Sequence, residues 1–131
     1  MKHIAIDTMV LIYLFEWHPK YADKVESLLE SVDKVTFSAL GVGELLAGVE
    51  KSRKGDAKLN FLAFVQGSEK LTVRGFGMQE ALTFAELRAK YPKLKSPDMI
   101  HLACAIRSGA ESFVTNDKAL KIVEEISVVL L

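Results

Sequence analysis

At 131 residues, half of them hydrophobic and 26% charged, the chain has the composition of one globular domain, residues 1–131, built around a continuous core. Lys plus Arg and Asp plus Glu both number 17, which excludes the overall basic excess of a non-specific nucleic-acid binder. A single cysteine, Cys104, excludes an intrachain disulfide, and the longest apolar run, residues 9–15, is too short to span a bilayer. With no signal-peptide pattern at the N-terminus, the expectation is a soluble cytoplasmic protein with no membrane partner.

In chain order, residues 2–6 read as a short buried strand that closes on Asp7. Two helices follow at 10–17 and 21–32, separated by His18-Pro19. A strand at 35–38 leads to a second helix pair, 40–53 and 57–66, with Gly55 as a helix terminator. A third strand at 70–73 precedes helices 79–91 and 97–107. Before the latter, Ser96-Pro97-Asp98 is a start signal: Ser96 as N-cap, Pro97 at the first helical position, Asp98 in the first turn. Gly109 ends that helix, a strand at 111–115 follows, and a short helix at 118–125 leads to the last strand, 127–130. Cys104, inside the apolar run 99–106, reads as a small buried hydrophobe. Strands alternating with helices predict an α/β fold around a parallel sheet of about five strands.

Four carboxylates stand out from this pattern. Asp7 ends the first strand, Asp117 follows the fourth, Asp98 opens the helix before the fourth, and Glu44 lies early in the helix after the second. Ligands of parallel α/β sheets bind beyond the carboxyl ends of the strands, where strand order reverses, so neighbouring first and fourth strands would bring the acids to one cleft. Each acid also has a plainer reading. Asp98 complements a helix dipole, Asp117 caps the short helix, and Glu44 is the polar side of an amphipathic helix. Asp7 is the hardest to dismiss, having no capping partner in its apolar surroundings. Around Glu44, Leu40, Gly41, Ala47 and Gly48 form a face nearly free of bulk, which lets a helix approach the sheet.

Convergence would select the ligand. Like charges about 4 Å apart repel by about 4 kcal/mol at an effective dielectric of 20, so clustered acids require protons or cations. An all-oxygen set suits Mg²⁺ or Mn²⁺, and the lack of a Cys/His cluster argues against zinc. Such a site suits hydrolysis of a phosphodiester.

Residues 4–8 (Ile-Ala-Ile-Asp-Thr), Glu44, residues 97–103 (Pro-Asp-Met-Ile-His-Leu-Ala) and residues 113–117 (Phe-Val-Thr-Asn-Asp) together resemble the PIN-domain ribonucleases, and especially the VapC-type toxins of toxin–antitoxin pairs. The resemblance implies a PIN-like three-layer fold and a Mg²⁺ or Mn²⁺ ion held by Asp7 and Asp98 with support from Asp117. It implies that Glu44 helps to bind metal or to orient the attacking water. It also implies RNA as substrate, an antitoxin partner and a homodimer. Thr8, Thr115 and Asn116 would then support the carboxylates from behind, the threonines as hydroxyls that fix a carboxylate rotamer. Their alternative is plain strand-end packing.

One departure is Met9, where many relatives carry Ser or Asn two positions after the first Asp; it motivates the alternative of a non-catalytic PIN-like module that binds RNA or protein. An aspartyl phosphotransferase fits less well, because no second acid follows two residues after Asp7. His101, one turn after Asp98, reads chiefly as a helix-packing residue. For phosphate contact, the cations nearest the acids are Lys93, Lys95, Lys118 and Lys121, while Lys51, Arg53 and Lys54 form the densest basic run.

Overall fold

The computed structural model describes residues 1–52 and 55–131. Arg53, which ends the predicted helix 40–53, and Lys54, which shares the basic run with it, lie outside the described residues.

The five strands are β1 (His3–Ile6), β2 (Lys34–Ser38), β3 (Leu71–Arg74), β4 (Ser112–Thr115) and β5 (Ser127–Leu130), all parallel in the spatial order β3-β2-β1-β4-β5. The helices are α1 (Thr8–Phe15), α2 (Ala22–Ser31), α3 (Ala39–Ser52), α4 (Gly55–Gly67), α5 (Met78–Lys90) and α6 (Ser96–Ser108), with a 3₁₀ helix at Lys118–Ile122. The expected α/β class and parallel five-strand sheet are therefore observed.

Alternation along the strands divides the core into two layers. Ile4 and Ile6 of β1, Val35 and Phe37 of β2 and Val114 of β4 pack against Val10, Leu11, Val25, Leu45 and Phe61 of α1 to α4. Ala5 and Phe113 face the other way, onto Leu87 of α5 and Met99, Leu102 and Ala103 of α6. Cys104 is buried in α6, as expected, and burial pushes its thiol up to about 11.

Several predicted boundaries change for local physical reasons. The first helix begins at Thr8 rather than residue 10, because Asp7 caps it: Asp7 Oδ1 accepts the Thr8 N–H at 2.8 Å. Asp7 therefore does have a capping partner. Gly55 opens α4 instead of terminating a helix. Lys95, in extended backbone, takes the N-cap position of α6, and Ser96 is its first residue; Pro97 and Asp98 fall in the first turn, where Pro costs no hydrogen bond. Gly109 does end α6, at φ 80°, a left-handed conformation suited to glycine. The expected helix 118–125 is a 3₁₀ helix that stops at Ile122, because Val123 is already extended on the way into β5.

Candidate active site

β1 lies between β2 and β4, so the chain's direction of travel across the sheet reverses between β1 and β4. The Asp7 N–H extends that junction one residue further, donating to the Val114 carbonyl at 2.9 Å. The strand ends open there into a cleft of about 370 Å³ whose walls include Asp7, Glu44, Asp98 and Asp117. Thus the topology brings the four predicted acids together, although they come from four different segments of the chain.

Each carboxylate is placed by its own element. Asp7 is nearly buried; Thr8 N–H occupies its Oδ1, and the hydroxyl of fully buried Thr115 donates to its Oδ2 at 2.8 Å. Asp98 projects from the first turn of α6 and is half-buried. Burial, reinforced by the charges of Asp7 and then Asp117, raises its carboxyl above the ordinary range, while His101 and Lys95 pull it back. Asp117 is exposed; its N–H donates to Thr115 Oγ1 at 3.1 Å, and its Oδ1 accepts the Ala119 N–H at 2.9 Å, capping the 3₁₀ helix. It serves as a cap and as a wall of the cleft at once.

Glu44 reaches the cleft from α3. Its Oε1 accepts two bonds at 2.7 Å, one from the Thr8 hydroxyl and one from His101 Nε2. His101 is buried, and its Nδ1 lies 2.6 Å from Ser38 Oγ, which in turn accepts the Gly41 N–H at 3.0 Å. The histidine does pack within the fold, as expected, but it also joins the end of β2 to Glu44. The small-residue face of α3 divides in two: Gly41 lies against the Phe37 ring, letting the helix meet the sheet, whereas Gly48 faces open space.

Thr8 and Thr115 each hydrogen-bond a carboxylate of the cleft. Asn116 does not; its amide donates to the Tyr13 hydroxyl at 3.3 Å, and both residues line the cleft. Met9, 44% exposed, adds an apolar wall. Lys93, Lys95 and Lys118 are exposed outside the cleft lining, and Lys121 is tied to the Val128 carbonyl at 2.8 Å. Sequence reasoning missed Ser38 and Tyr13. The available signal for Ser38 was positional, since it ends β2 as Asp7 follows β1 and Thr115 ends β4.

The donor set suits a hard divalent cation. Asp7, Asp98 and Asp117 present oxygen only, and a cation among them would offset the burial and, after it, the Asp7 and Asp117 charges that raise the Asp98 carboxyl. Among the described residues, no three His, Cys, Asp or Glu side chains form a group able to enclose one ion. Mg²⁺ needs no such cage, because it is commonly held by one or two carboxylates and keeps several waters.

The PIN domain family matches residues 4–126, nearly the whole chain. The chain belongs to the PIN domain family. No curated protein matches it significantly. Solved structures share its fold. VapBC2 of Rickettsia felis, bound to a DNA fragment from its promoter, is 21% identical over 98% of each chain with a TM-score of 0.76. A toxin–antitoxin complex of Klebsiella pneumoniae is 23% identical over 96% of this chain and 95% of that one, also at 0.76. VapC20 of Mycobacterium tuberculosis, a toxin that cleaves the sarcin–ricin loop, is 16% identical over 95% of this chain and 98% of that one, at 0.73. This PIN chain therefore has the architecture of those toxins. Among its described residues no helix is long and apolar enough to cross a membrane.

Proposed function

We propose that this PIN domain is a Mg²⁺- or Mn²⁺-dependent endoribonuclease and the toxin of a toxin–antitoxin pair. The observation that carries the reading is the convergence of Asp7, Glu44, Asp98 and Asp117 on one cleft at the β1/β4 switch point. Asp7 and Asp98 would hold the ion with support from Asp117. When bound, the metal supplies charge for the phosphodiester oxygens and lowers the pKa of a coordinated water.

The chain's own residues do the rest. Thr115 and Thr8 N–H fix the Asp7 carboxylate, so little rotamer freedom is lost when it engages a cation. Glu44 is held at the cleft wall, where its carboxylate orients the attacking water or accepts its proton. Lys95, three residues before Asp98, and Lys118, next to Asp117, are exposed and with Lys93 would neutralise RNA phosphates.

An apolar cavity of about 650 Å³ between α1 and α4, walled by Leu14, Phe15 and Phe64 with Trp17 79% exposed at its edge, supports a segment of an antitoxin as partner. A homodimer belongs to the same proposal and would appear in sedimentation as twice the chain mass.

Purified protein is expected to cleave RNA in Mg²⁺ or Mn²⁺ and to lose at least about 100-fold in rate on Asp7→Asn or Asp98→Asn substitution, the scale at which a water-activating metal contributes. Equal cleavage by Asp7→Asn protein would refute the reading. RNA binding without cleavage in any divalent metal would establish the non-catalytic module that Met9, in the cleft wall, favours.

A further inference from the structure

We propose that Ser38 and His101 form a one-way hydrogen-bond chain that holds Glu44 at the cleft, making His101 the positioning residue of this carboxylate. The inference deepens the nuclease reading but rests on contacts that exist without metal or RNA.

Direction follows from donor arithmetic. An ionised Glu44 can only accept, so the 2.7 Å contact from His101 Nε2 to its Oε1 places the ring proton on Nε2. Ser38 Oγ already accepts the Gly41 N–H, so its own proton is free to point at His101 Nδ1, 2.6 Å away. A proton on Nδ1 instead would leave the buried Ser38 hydroxyl with no acceptor among the described residues, a costly state. The chain therefore runs from the Gly41 N–H through Ser38 and the neutral Nε2–H imidazole to Glu44. The Thr8 hydroxyl donates to the same oxygen, Oε1, from beside the ring, 3.4 Å from His101 Nε2.

The arrangement has a use. Glu44 stands on a helix surface with its side chain 39% exposed, and an exposed glutamate samples many rotamers. Two donors on Oε1, one of them a ring that is 4% exposed, fix that oxygen and leave Oε2 without a protein hydrogen bond among the described residues. Oε2 is thus the oxygen left for water, metal or substrate. A buried imidazole needs partners for its nitrogens in any case, and what marks this one is that a partner is a carboxylate of the cleft. Here both ring nitrogens are engaged, and the two partners come from separate segments, β2 and α3.

The test uses the intact chain. In metal-free protein, long-range ¹H–¹⁵N spectra of the imidazole are expected to show His101 as the Nε2–H tautomer, with a mixture appearing in Ser38→Ala protein; an Nδ1–H ring in the wild type would overturn the proposal. For RNA cleavage, His101→Leu is expected to lower kcat by about 10–100-fold with little change in KM, the range for supporting groups around a metal site. His101→Gln, which keeps an amide donor near the Nε2 position, is expected to recover most of the loss, whereas His101→Asn, which keeps only the Ser38 side, is not. Equal kcat in the Gln and Asn proteins would overturn the proposal even if the Leu protein failed to fold. Wild-type protein that shows the Nε2–H tautomer yet cleaves no RNA would sink the nuclease reading while the Glu44 tether stood.

Discussion

Gly41 is the point at which the packing of α3 and the placement of Glu44 can be tested together. A Cβ built there lies 2.6 Å from both Cε1 and Cζ of Phe37 and 3.2 Å from Cε2. Carbon atoms in ordinary contact are about 3.5–4.0 Å apart, so Gly41→Ala requires the ring or the helix to move by about 1 Å. The ring has little room, being fully buried among Ile4, Val10 and Leu45. Overpacking of this kind costs about 1–3 kcal/mol, against a helix-propensity gain of about 0.8–1.0 kcal/mol for Gly→Ala. Gly48→Ala supplies the control, because its Cβ meets nothing within 4 Å and receives only the propensity gain. Subtracting one variant from the other cancels propensity and leaves the overpacking cost of about 1–3 kcal/mol, or about 3–12 °C in Tm for a chain of this size. Urea denaturation and differential scanning calorimetry of both proteins measure it. Glu44 lies three residues beyond Gly41 on the same helix face, so the Gly41 variant is also expected to lose RNA cleavage while the Gly48 variant keeps it. Two variants of equal stability would refute the claim that Gly41 sets the distance between α3 and the sheet.

Two further outcomes depend on pH. Buried Glu80 accepts Arg74 Nε at 2.8 Å and the Gly77 N–H at 3.0 Å, and the Arg74 guanidinium, followed by backbone donors, holds its carboxyl below the usual range. A depressed folded value gives stability that is complete above the unfolded value, near 4.3, and is lost as pH falls through the folded one; Glu80→Gln should therefore cost about 1.5–3 kcal/mol in urea unfolding at pH 7 and progressively less as pH falls below about 4.3. Cys104 has the opposite sign: its thiol moves from 9.0 up to about 11, so its contribution is complete below pH 9 and disappears as pH rises to 11. The loss is about 3 kcal/mol at about 1.4 kcal/mol per unit, and Cys104→Ala protein should lack that alkaline decline while wild-type thiol resists iodoacetamide at pH 8.

What the sequence made legible was local. Short β-branched runs between amphipathic segments reveal the strands, and the residues 96–98 and Gly109 bracket α6 to within a residue. The acids could be picked out because each stands where a strand has just ended or a helix is in its first turns. Boundaries failed where one residue type serves two roles: Gly55 lies between two helices and local chemistry does not say which one it ends or opens. Ser96 and Lys95 compete for one cap position, and the backbone rather than the side chain decides, since Lys95 makes no side-chain cap bond. The part of the site that escaped was the scaffold behind Glu44. His101 meets Ser38 across 63 positions and Glu44 across 57, so its engagement exists only after α3, α6 and β2 have packed. A lone histidine in an apolar helix carries no mark of such partners.

The placement of β1 in the middle of the sheet also has a consequence for biosynthesis. Asp7 leaves the ribosome well before the residue whose hydroxyl grips it, Thr115, 108 positions later, and β4 cannot pair with β1 until it too has emerged. A nascent chain therefore carries a first acid without its clamp and without Asp98 and Asp117, and fragments cut short before β4 lack the assembled cleft. Completion of the sheet is thus a built-in timer on the cleft.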